Sequence, residues 1–149
     1  MLQKSTDNGQ SWTVLQLPVM WSNNIYFLND KTGWVTENME LSSFSNDSSS
    51  VYYTNDGGEH WTRIITVEGE ENDNVYFSDQ NNGWFSSNSW SIVNHSYTSR
   101  IFNTKDGGKT FNVQYSFSSN DDPIADMFFL NESKAWALTF YGKVIRFSR

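Results

Sequence analysis

Residues 54–61 read Thr-Asn-Asp-Gly-Gly-Glu-His-Trp, and the same pattern occurs twice more in the chain. The related segments are Ser-Thr-Asp-Asn-Gly-Gln-Ser-Trp at 5–12 and Thr-Lys-Asp-Gly-Gly-Lys-Thr-Phe at 104–111. The shared pattern is Ser/Thr-x-Asp-x-Gly-x-x-aromatic, with its Asp at positions 7, 56 and 106, a spacing of 49 and then 50 residues. A fixed period of this length is typical of repeat architectures.

A second motif keeps the same period. It begins with an apolar run at 25–29, 75–79 and 127–131. Seven residues after the aligned Phe of each run comes a Trp, at Trp34, Trp84 and Trp136. Because two separate motifs recur together, the sequence predicts about three copies of one structural unit.

Each Ser/Thr-x-Asp-x-Gly segment predicts a hairpin turn. The Asp carboxylate can accept backbone N–H bonds within its own turn, and the Gly supplies the positive φ that such a turn needs. The closing aromatic residue is expected to pack over the turn. The predicted structural residues are Ser5, Asp7, Gly9, Trp12, Thr54, Asp56, Gly58, Trp61, Thr104, Asp106, Gly108 and Phe111.

Apolar and aromatic runs bounded by Gly, Asn and Asp predict short strands, and no segment has a helical period. We predict an all-β fold of antiparallel four-stranded units, with strands A to D and the Asp turn between C and D. Units of this kind are the blades of a β-propeller. Residues 1–149 would form a single propeller domain or the C-terminal portion of a larger propeller, with units at approximately 1–17, 25–67, 74–116 and 125–149.

These motifs resemble a known group of proteins. The turns are similar to the Asp-box repeat of bacterial neuraminidases (the BNR repeat), and Phe-Leu-Asn-Asp-Lys-Thr-Gly-Trp at 27–34 resembles the photosystem II assembly and stability factor family. The resemblance implies an exported, extracytoplasmic β-propeller, although the N-terminal residues lack the apolar segment of a secretory signal. It does not imply one activity, because Asp-boxes also occur in sialidases, xyloglucanases and sortilin-type receptors. Lys134-Ala135-Trp136 departs from the Gly-Trp pattern.

Composition excludes several classes of function. The formal net charge is −7, and the ten Lys and Arg residues are scattered. Binding to nucleic acid needs a basic stripe, so no nucleic-acid partner is expected. The chain contains no Cys, which excludes disulfides and thiol chemistry. No window holds eighteen consecutive apolar residues, so no transmembrane span is predicted.

The candidate binding surface is the end of the sheets opposite the Asp turns, formed by the B–C and D–A loops. Two long B–C loops are predicted there, at 37–50 and 86–99. Aromatic side chains beside amides and hydroxyls could stack a sugar or hold a peptide; ordinary solvated loops are the alternative. The candidate ligand-binding residues are Trp21, Phe44, Trp90, His95 and Tyr97.

Metal and enzyme functions have weaker support in the sequence. Glu70, Glu71 and Asp73 are minor candidates for Ca²⁺, but their spacing matches no defined loop, so we predict no metal and no cofactor. No catalytic site is predicted, because no arginine has the context of a sialidase cluster. The favoured function is a non-catalytic binding or assembly-scaffold module for a protein or glycan. A fragment of a glycoside-processing enzyme is the alternative, since Asp and Glu are plentiful.

The chain spans about three units, and its last predicted strand is a C strand. Three blades are too few for a closed ring, because propellers have roughly four to eight. We therefore expect one of two arrangements. Either the chain forms a homo-oligomer in which residues 11–17 of one copy supply the last D strand of another, or the natural protein has further N-terminal blades.

Overall fold

The computed structural model describes residues 2–17, 21–39, 48–120 and 122–148, without the side chains of Met39, Asn72 and Asp73. These residues form thirteen strands in four antiparallel sheets and no helix. The predicted all-β antiparallel architecture is therefore confirmed. None of the described residues belongs to a helix that is long and apolar enough to cross a membrane.

The sheets follow one another along the chain. The first pairs β1 (Leu2–Lys4) with β2 (Thr13–Leu15). The second contains, in spatial order, β3 (Ser22–Phe27), β4 (Gly33–Met39), β5 (Ser48–Thr54) and β6 (Thr62–Glu68). The third contains β7 (Glu71–Phe77), β8 (Gly83–Ser91), β9 (Ser96–Thr104) and β10 (Asn112–Ser119). The fourth contains β11 (Ile124–Asn131), β12 (Lys134–Thr139) and β13 (Val144–Ser148).

The four-stranded sheets are longer than the predicted units. The second sheet begins at Ser22 rather than at residue 25, and the third begins at Glu71 rather than at residue 74. The added residues are polar, but their backbone pairs with the neighbouring strand, as Ser22 does with Glu37. Backbone pairing does not require apolar side chains, so a prediction based on the apolar runs underestimated the length of each strand.

The turns at 5–12, 54–61 and 104–111, here called the repeat turns, have one geometry. In the second, the backbone N–H of His60 donates to the Asp56 carboxylate at 2.9 Å, and the N–H of Gly58 donates to the Thr54 hydroxyl at 3.0 Å. The same two bonds occur in the other turns, with donors Ser11 and Gly9 in the first and Thr110 and Gly108 in the third. The three glycines have φ values of 84°, 91° and 90° along the chain, which only Gly adopts readily.

The repeat turns lie at one end of the sheets. The N–H of Gly57, in the β5–β6 turn, donates to the carbonyl of Lys31 in the β3–β4 turn at 2.8 Å. The equivalent bond in the third sheet joins Gly107 to Asn81 at 3.0 Å. Two turns of one sheet therefore share an end. The opposite end, formed by connections such as β6–β7, β8–β9 and β12–β13, is called the distal end below.

The core lies between the second and third sheets. The Trp34 indole is fully buried and stacks on the Phe77 ring of the next sheet, with the ring centroids 3.7 Å apart and the planes at 4°. Trp84 makes the equivalent contact with Phe129 of the fourth sheet, at 4.9 Å and 30°. The repeated spacing between the apolar run and the Trp thus corresponds to one repeated contact between successive sheets.

Gly83 has no room for a side chain, because the Phe77 ring occupies the position of its Cβ. Phe77 is only 1% exposed and cannot move aside. At the equivalent Gly33, the Phe27 ring lies 2.7 Å from the Cβ position, but this ring is partly exposed and can shift. We expect Gly83→Ala to lower the free energy of unfolding by about 1–3 kcal/mol and Gly33→Ala by under about 1 kcal/mol. Urea denaturation checks both, and equal losses would contradict the packing argument.

Candidate functional site

The distal end contains a cleft of about 530 Å³ beside the third and fourth sheets. Small-ligand sites occupy roughly 300–1,000 Å³, so its size suits a binding site. Its lining includes Glu71, Asn88, Tyr97, Phe140 and Tyr141. A smaller cavity of about 160 Å³ is lined by Trp84, Phe129 and other residues of the contact between these sheets. We attribute the smaller cavity to packing and take the distal cleft as the candidate site.

One side of the cleft is the β8–β9 hairpin. Trp90 and Tyr97 are paired across the two strands, with their ring centroids 4.7 Å apart. The His95 ring lies 6.4 Å from Trp90, in an edge-on arrangement. Trp90 remains 44% exposed, so much of its indole is open to a partner. The structure therefore brings together three of the predicted binding residues.

The prediction of a long loop at 86–99 is wrong. Strand β8 continues to Ser91 and β9 begins at Ser96, so only residues 92–95 connect them. Four of the Ser and Asn residues that suggested a loop are buried with hydrogen-bond partners, namely Ser86, Ser87, Asn88 and Ser99. The Ser99 hydroxyl, for example, donates to Asn88 at 2.6 Å. Trp90 and Tyr97 are consequently held on paired strands rather than on a loop.

Asn88 forms the floor of the cleft and joins two sheets. Its side-chain amide donates to the carbonyl of Ile124 at 2.9 Å, and its side-chain oxygen accepts from the Ile124 N–H at 3.2 Å. The same oxygen accepts from Ser99, so the carboxamide is engaged within the protein. These bonds fix the start of β11 against β8 and set the width of the cleft.

The other side of the cleft is the β12–β13 turn, whose Phe140 and Tyr141 side chains are largely exposed. The Asp122 carboxylate accepts from the Tyr141 N–H at 2.8 Å and from the Thr139 hydroxyl at 2.9 Å, which holds the turn in place. Sequence reasoning did not identify Phe140 and Tyr141. The available signal was the Phe-Tyr-Gly segment at 140–142, in which two large aromatic residues precede a Gly with φ 87°.

Among the described residues, the acidic segment at 68–73, which runs into β7, does not group its carboxylates into a metal site. Glu70 is buried, forms an ion pair with Arg100 and accepts from the Ser87 hydroxyl. Of the other predicted calcium candidates, Glu71 lines the cleft, and the Asp73 side chain lies outside the described residues. Within the part of the chain that the structure describes, no three acidic or histidine side chains are grouped to hold a metal ion.

Of the two remaining candidates, one does not line the cleft and the other lies outside the described residues. Trp21 lies next to β3 in the second sheet, where its carbonyl accepts from the Asn38 N–H at 3.0 Å, and its side chain is exposed. It is absent from the described lining of the cleft. Phe44 and the rest of residues 40–47 lie outside the described residues.

The Asp carboxyls of the repeat turns have pKa values below the ordinary value. The hydroxyl and backbone N–H of Ser11 lower the pKa of Asp7 to about 2, from an ordinary value of 3.8. The hydroxyl and N–H of Thr110 lower the pKa of Asp106 to about 2. The backbone N–H four residues on holds the pKa of Asp56 well below its usual range. A carboxylate with so low a pKa does not act as a general acid near neutral pH.

These lowered pKa values predict a loss of stability in acid. Because the ionised carboxylate is favoured in the fold, its contribution is complete above about pH 4 and is lost as the pH falls towards about 2. We expect Asp106→Asn to make the melting temperature less dependent on pH in this range. Glu59→Gln, which changes an exposed carboxylate in the second repeat turn, is the control. Thermal melts in which both variants keep the full pH dependence would contradict the assignment.

Comparison with known proteins gives no family. Neither a protein-family model nor a curated protein matches the sequence. Among solved structures, the chain is similar to YCF48 bound to D1 peptide, with 12% sequence identity over 99% of this chain and 71% of that chain, and a TM-score of 0.33. A TM-score this low does not establish a shared fold.

Proposed function

We propose that the chain is part or all of a β-propeller with Asp-box turns, and that its distal end is a non-catalytic binding surface for a protein partner. Two successive sheets have four antiparallel strands in chain order, which is the construction of a propeller blade. The repeat turns and the Trp contacts between sheets recur with the same period as these sheets. The family resemblance of the motifs supports an extracytoplasmic location as part of this proposal.

The observation that carries the binding proposal is the aromatic cleft. Tyr97 lines one side of the cleft and Phe140 and Tyr141 line the other. The exposed Trp90 lies against Tyr97 on the same hairpin. Surfaces that bind proteins are enriched in Tyr, Trp and Phe, and a few such residues supply most of the binding energy. The exposed Val93 at the tip of the β8–β9 hairpin extends this apolar surface.

A protein partner fits the cleft better than a glycan does. Sugars are held by several convergent polar groups as well as by stacking. Here the Asn88 carboxamide already binds Ile124 and Ser99, and the Asp122 carboxylate already binds the β12–β13 turn. Besides Glu71 and the tyrosine hydroxyls, the groups that line the cleft for recognition are exposed aromatic rings, and these suit the apolar side chains of a polypeptide.

The same bonds disfavour the glycoside-processing enzyme. Hydrolysis of a glycosidic bond needs two carboxyl groups placed about 5–10 Å apart on either side of that bond. Among the described residues that line the cleft, Glu71 is the one carboxylate. Glu70 is paired with Arg100 and is buried.

The test uses a peptide array and a glycan array with the 149-residue chain. We expect peptides with apolar or aromatic residues to bind, and Trp90→Ala to weaken that binding at least about tenfold with little change in melting temperature. Trp12→Ala, which removes an exposed Trp at the other end of the sheets, is the matched control. Binding to glycans alone, or a large fall in the melting temperature of Trp90→Ala, would overturn the proposal. Hydrolysis of a bound glycan would support the enzyme instead.

A further inference from the structure

The distal end is poor in cationic side chains. Its described connections lie at 69–70, 92–95, 122–123 and 140–143. Lys143 is the one Lys or Arg in these connections, and the whole stretch at 68–99 contains neither residue type. The carboxylates in these connections or next to them are Glu68, Glu70, Glu71 and Asp122. A partner that approaches this end therefore meets an excess of negative charge.

Two cationic side chains near this end show what holds a cation there. Arg100 of β9 forms an ion pair with Glu70. The Lys143 ammonium lies over the Phe117 ring, 5.8 Å from the ring centroid. This distance is within the range of about 6 Å over which a cation is attracted to an aromatic face. One cation thus has a carboxylate as its partner, and the other has an aromatic ring.

The distal cleft combines these two kinds of group. The exposed Glu71, at the start of β7, lines it together with Tyr97, Phe140 and Tyr141. The rings of Phe140 and Tyr141 lie 5.5 Å apart at 87° and are 70% and 71% exposed, so each has surface left for a partner. None of the described residues that line the cleft is a Lys or Arg. A cation that enters the cleft therefore meets a carboxylate and aromatic rings, and no like charge from this lining.

We propose that the segment of the protein partner held in the cleft carries an arginine next to an apolar residue. This inference rests on the proposed function and names the chemistry of its partner. The guanidinium lies at the Glu71 carboxylate and against the rings of Phe140 and Tyr141, and the apolar neighbour packs on Tyr97 and Trp90. Arginine suits this place better than lysine, because its planar guanidinium stacks on aromatic faces and can pair with a carboxylate through two N–H groups.

Other kinds of segment fit the cleft less well. An acidic segment would bring its carboxylates towards Glu71 and Asp122, and like charges placed together across an interface weaken binding. A wholly apolar segment would remove water from the exposed Glu71 carboxylate, which costs free energy that the apolar contacts would have to offset. A guanidinium replaces that water with charge-assisted hydrogen bonds.

The first measurement is the sequence preference of the cleft. An array of short random peptides is probed with the 149-residue chain, and the bound sequences are expected to be enriched in Arg beside Leu, Phe, Trp or Tyr and depleted in Asp and Glu. A bound set without enrichment in Arg, or one rich in Asp and Glu, would overturn this inference and leave the protein-binding surface in place. Binding of no peptide at all would overturn both.

Citrulline then isolates the charge, because it keeps nearly the shape of arginine and is neutral. In the peptide that binds best, replacing each Arg by citrulline should raise the Kd at least about tenfold. Glu71→Gln should weaken the Arg peptide at least about fivefold and change the citrulline peptide much less. Glu59→Gln, which changes an exposed carboxylate at the other end of the sheets, is the matched control and should bind both peptides as the wild type does. Equal losses for the two peptides with Glu71→Gln would overturn the contact between Glu71 and the guanidinium.

The contribution of the rings is tested at Tyr141. Tyr141→Leu keeps an apolar side chain and the backbone N–H that Asp122 accepts, but it removes the ring. Because this side chain is 71% exposed, the melting temperature should hardly change. We expect the Arg peptide to bind at least about threefold more weakly and the citrulline peptide to be affected less. The same loss for both peptides would exclude the proposed position of the guanidinium against this ring.

Discussion

Replacing Trp34 with alanine is expected to lower the free energy of unfolding by about 3–5 kcal/mol. The indole is fully buried between the second and third sheets and lies flat on Phe77, with 3.7 Å between the ring centroids. Its removal leaves a cavity between the two sheets. Because the strands within each sheet are held by hydrogen bonds, the sheets cannot move together to fill it. Because a domain is stable by only about 5–15 kcal/mol, this one substitution removes a large part of the total.

Urea denaturation of the wild type and variant, at one protein concentration, measures the loss. Trp90→Ala is the matched control, because it deletes the same side chain from a partly exposed position on β8. Its expected loss is about 1 kcal/mol, from the ring contact with Tyr97. Similar losses for the two variants would show that the Trp34 contact is not the core of the molecule.

The architecture could be predicted from the sequence because local chemistry repeats. A turn such as 54–61 is closed by its own Thr54, Asp56 and Gly58, so its geometry needs no information from the rest of the chain. The apolar run and the Trp that follows it lie on neighbouring strands of one hairpin, Phe27 opposite Gly33 in register. Both motifs are short-range, and short-range patterns predict hairpins well.

Strand ends were harder to predict, because strands at the distal end are rich in Ser and Asn. Residues 86–89 are Ser-Ser-Asn-Ser, a composition typical of loops. In the structure their polar groups are satisfied by partners far away in the chain, as Asn88 is by Ile124. A sequence pattern does not show whether such long-range partners exist. The composition of residues 86–89 therefore indicated a loop, whereas in the structure the pairing of β8 with β9 continues.

The candidate site was predicted only in part for the same reason. Trp90, His95 and Tyr97 belong to one hairpin, and the sequence placed them together. Phe140 and Tyr141 reach the same cleft from about 40 residues away, through the packing of the fourth sheet on the third. That packing depends on the Trp84 contact, which the repeated motif marks, and on the bonds of Asn88, which have no local signature.

The ion pair of Glu70 and Arg100 is expected to be the strongest single polar contribution near the distal end. Glu70 lies in the two-residue connection between β6 and β7, is largely buried, and contacts Arg100 of β9 and Ser87 of β8. Arg100→Met would leave the carboxylate buried with only the Ser87 hydroxyl to stabilise its charge. Removing one partner of a buried pair costs more than the pair contributes, because the desolvated charge is left uncompensated.

We therefore expect Arg100→Met to lower the free energy of unfolding by about 2–4 kcal/mol, somewhat less than the loss for a fully buried pair because the guanidinium is partly exposed. Glu70→Met removes the carboxylate and leaves the partly hydrated guanidinium without its partner. Its loss of unfolding free energy is expected to be smaller than that of Arg100→Met. The double variant removes both charges, so it should be more stable than Arg100→Met alone, with a coupling energy of about 1–3 kcal/mol. Urea denaturation of the wild type, the two single variants and the double variant measures this coupling energy as a double-mutant cycle. Additive losses would show that the Glu70 and Arg100 side chains contribute to stability independently of each other.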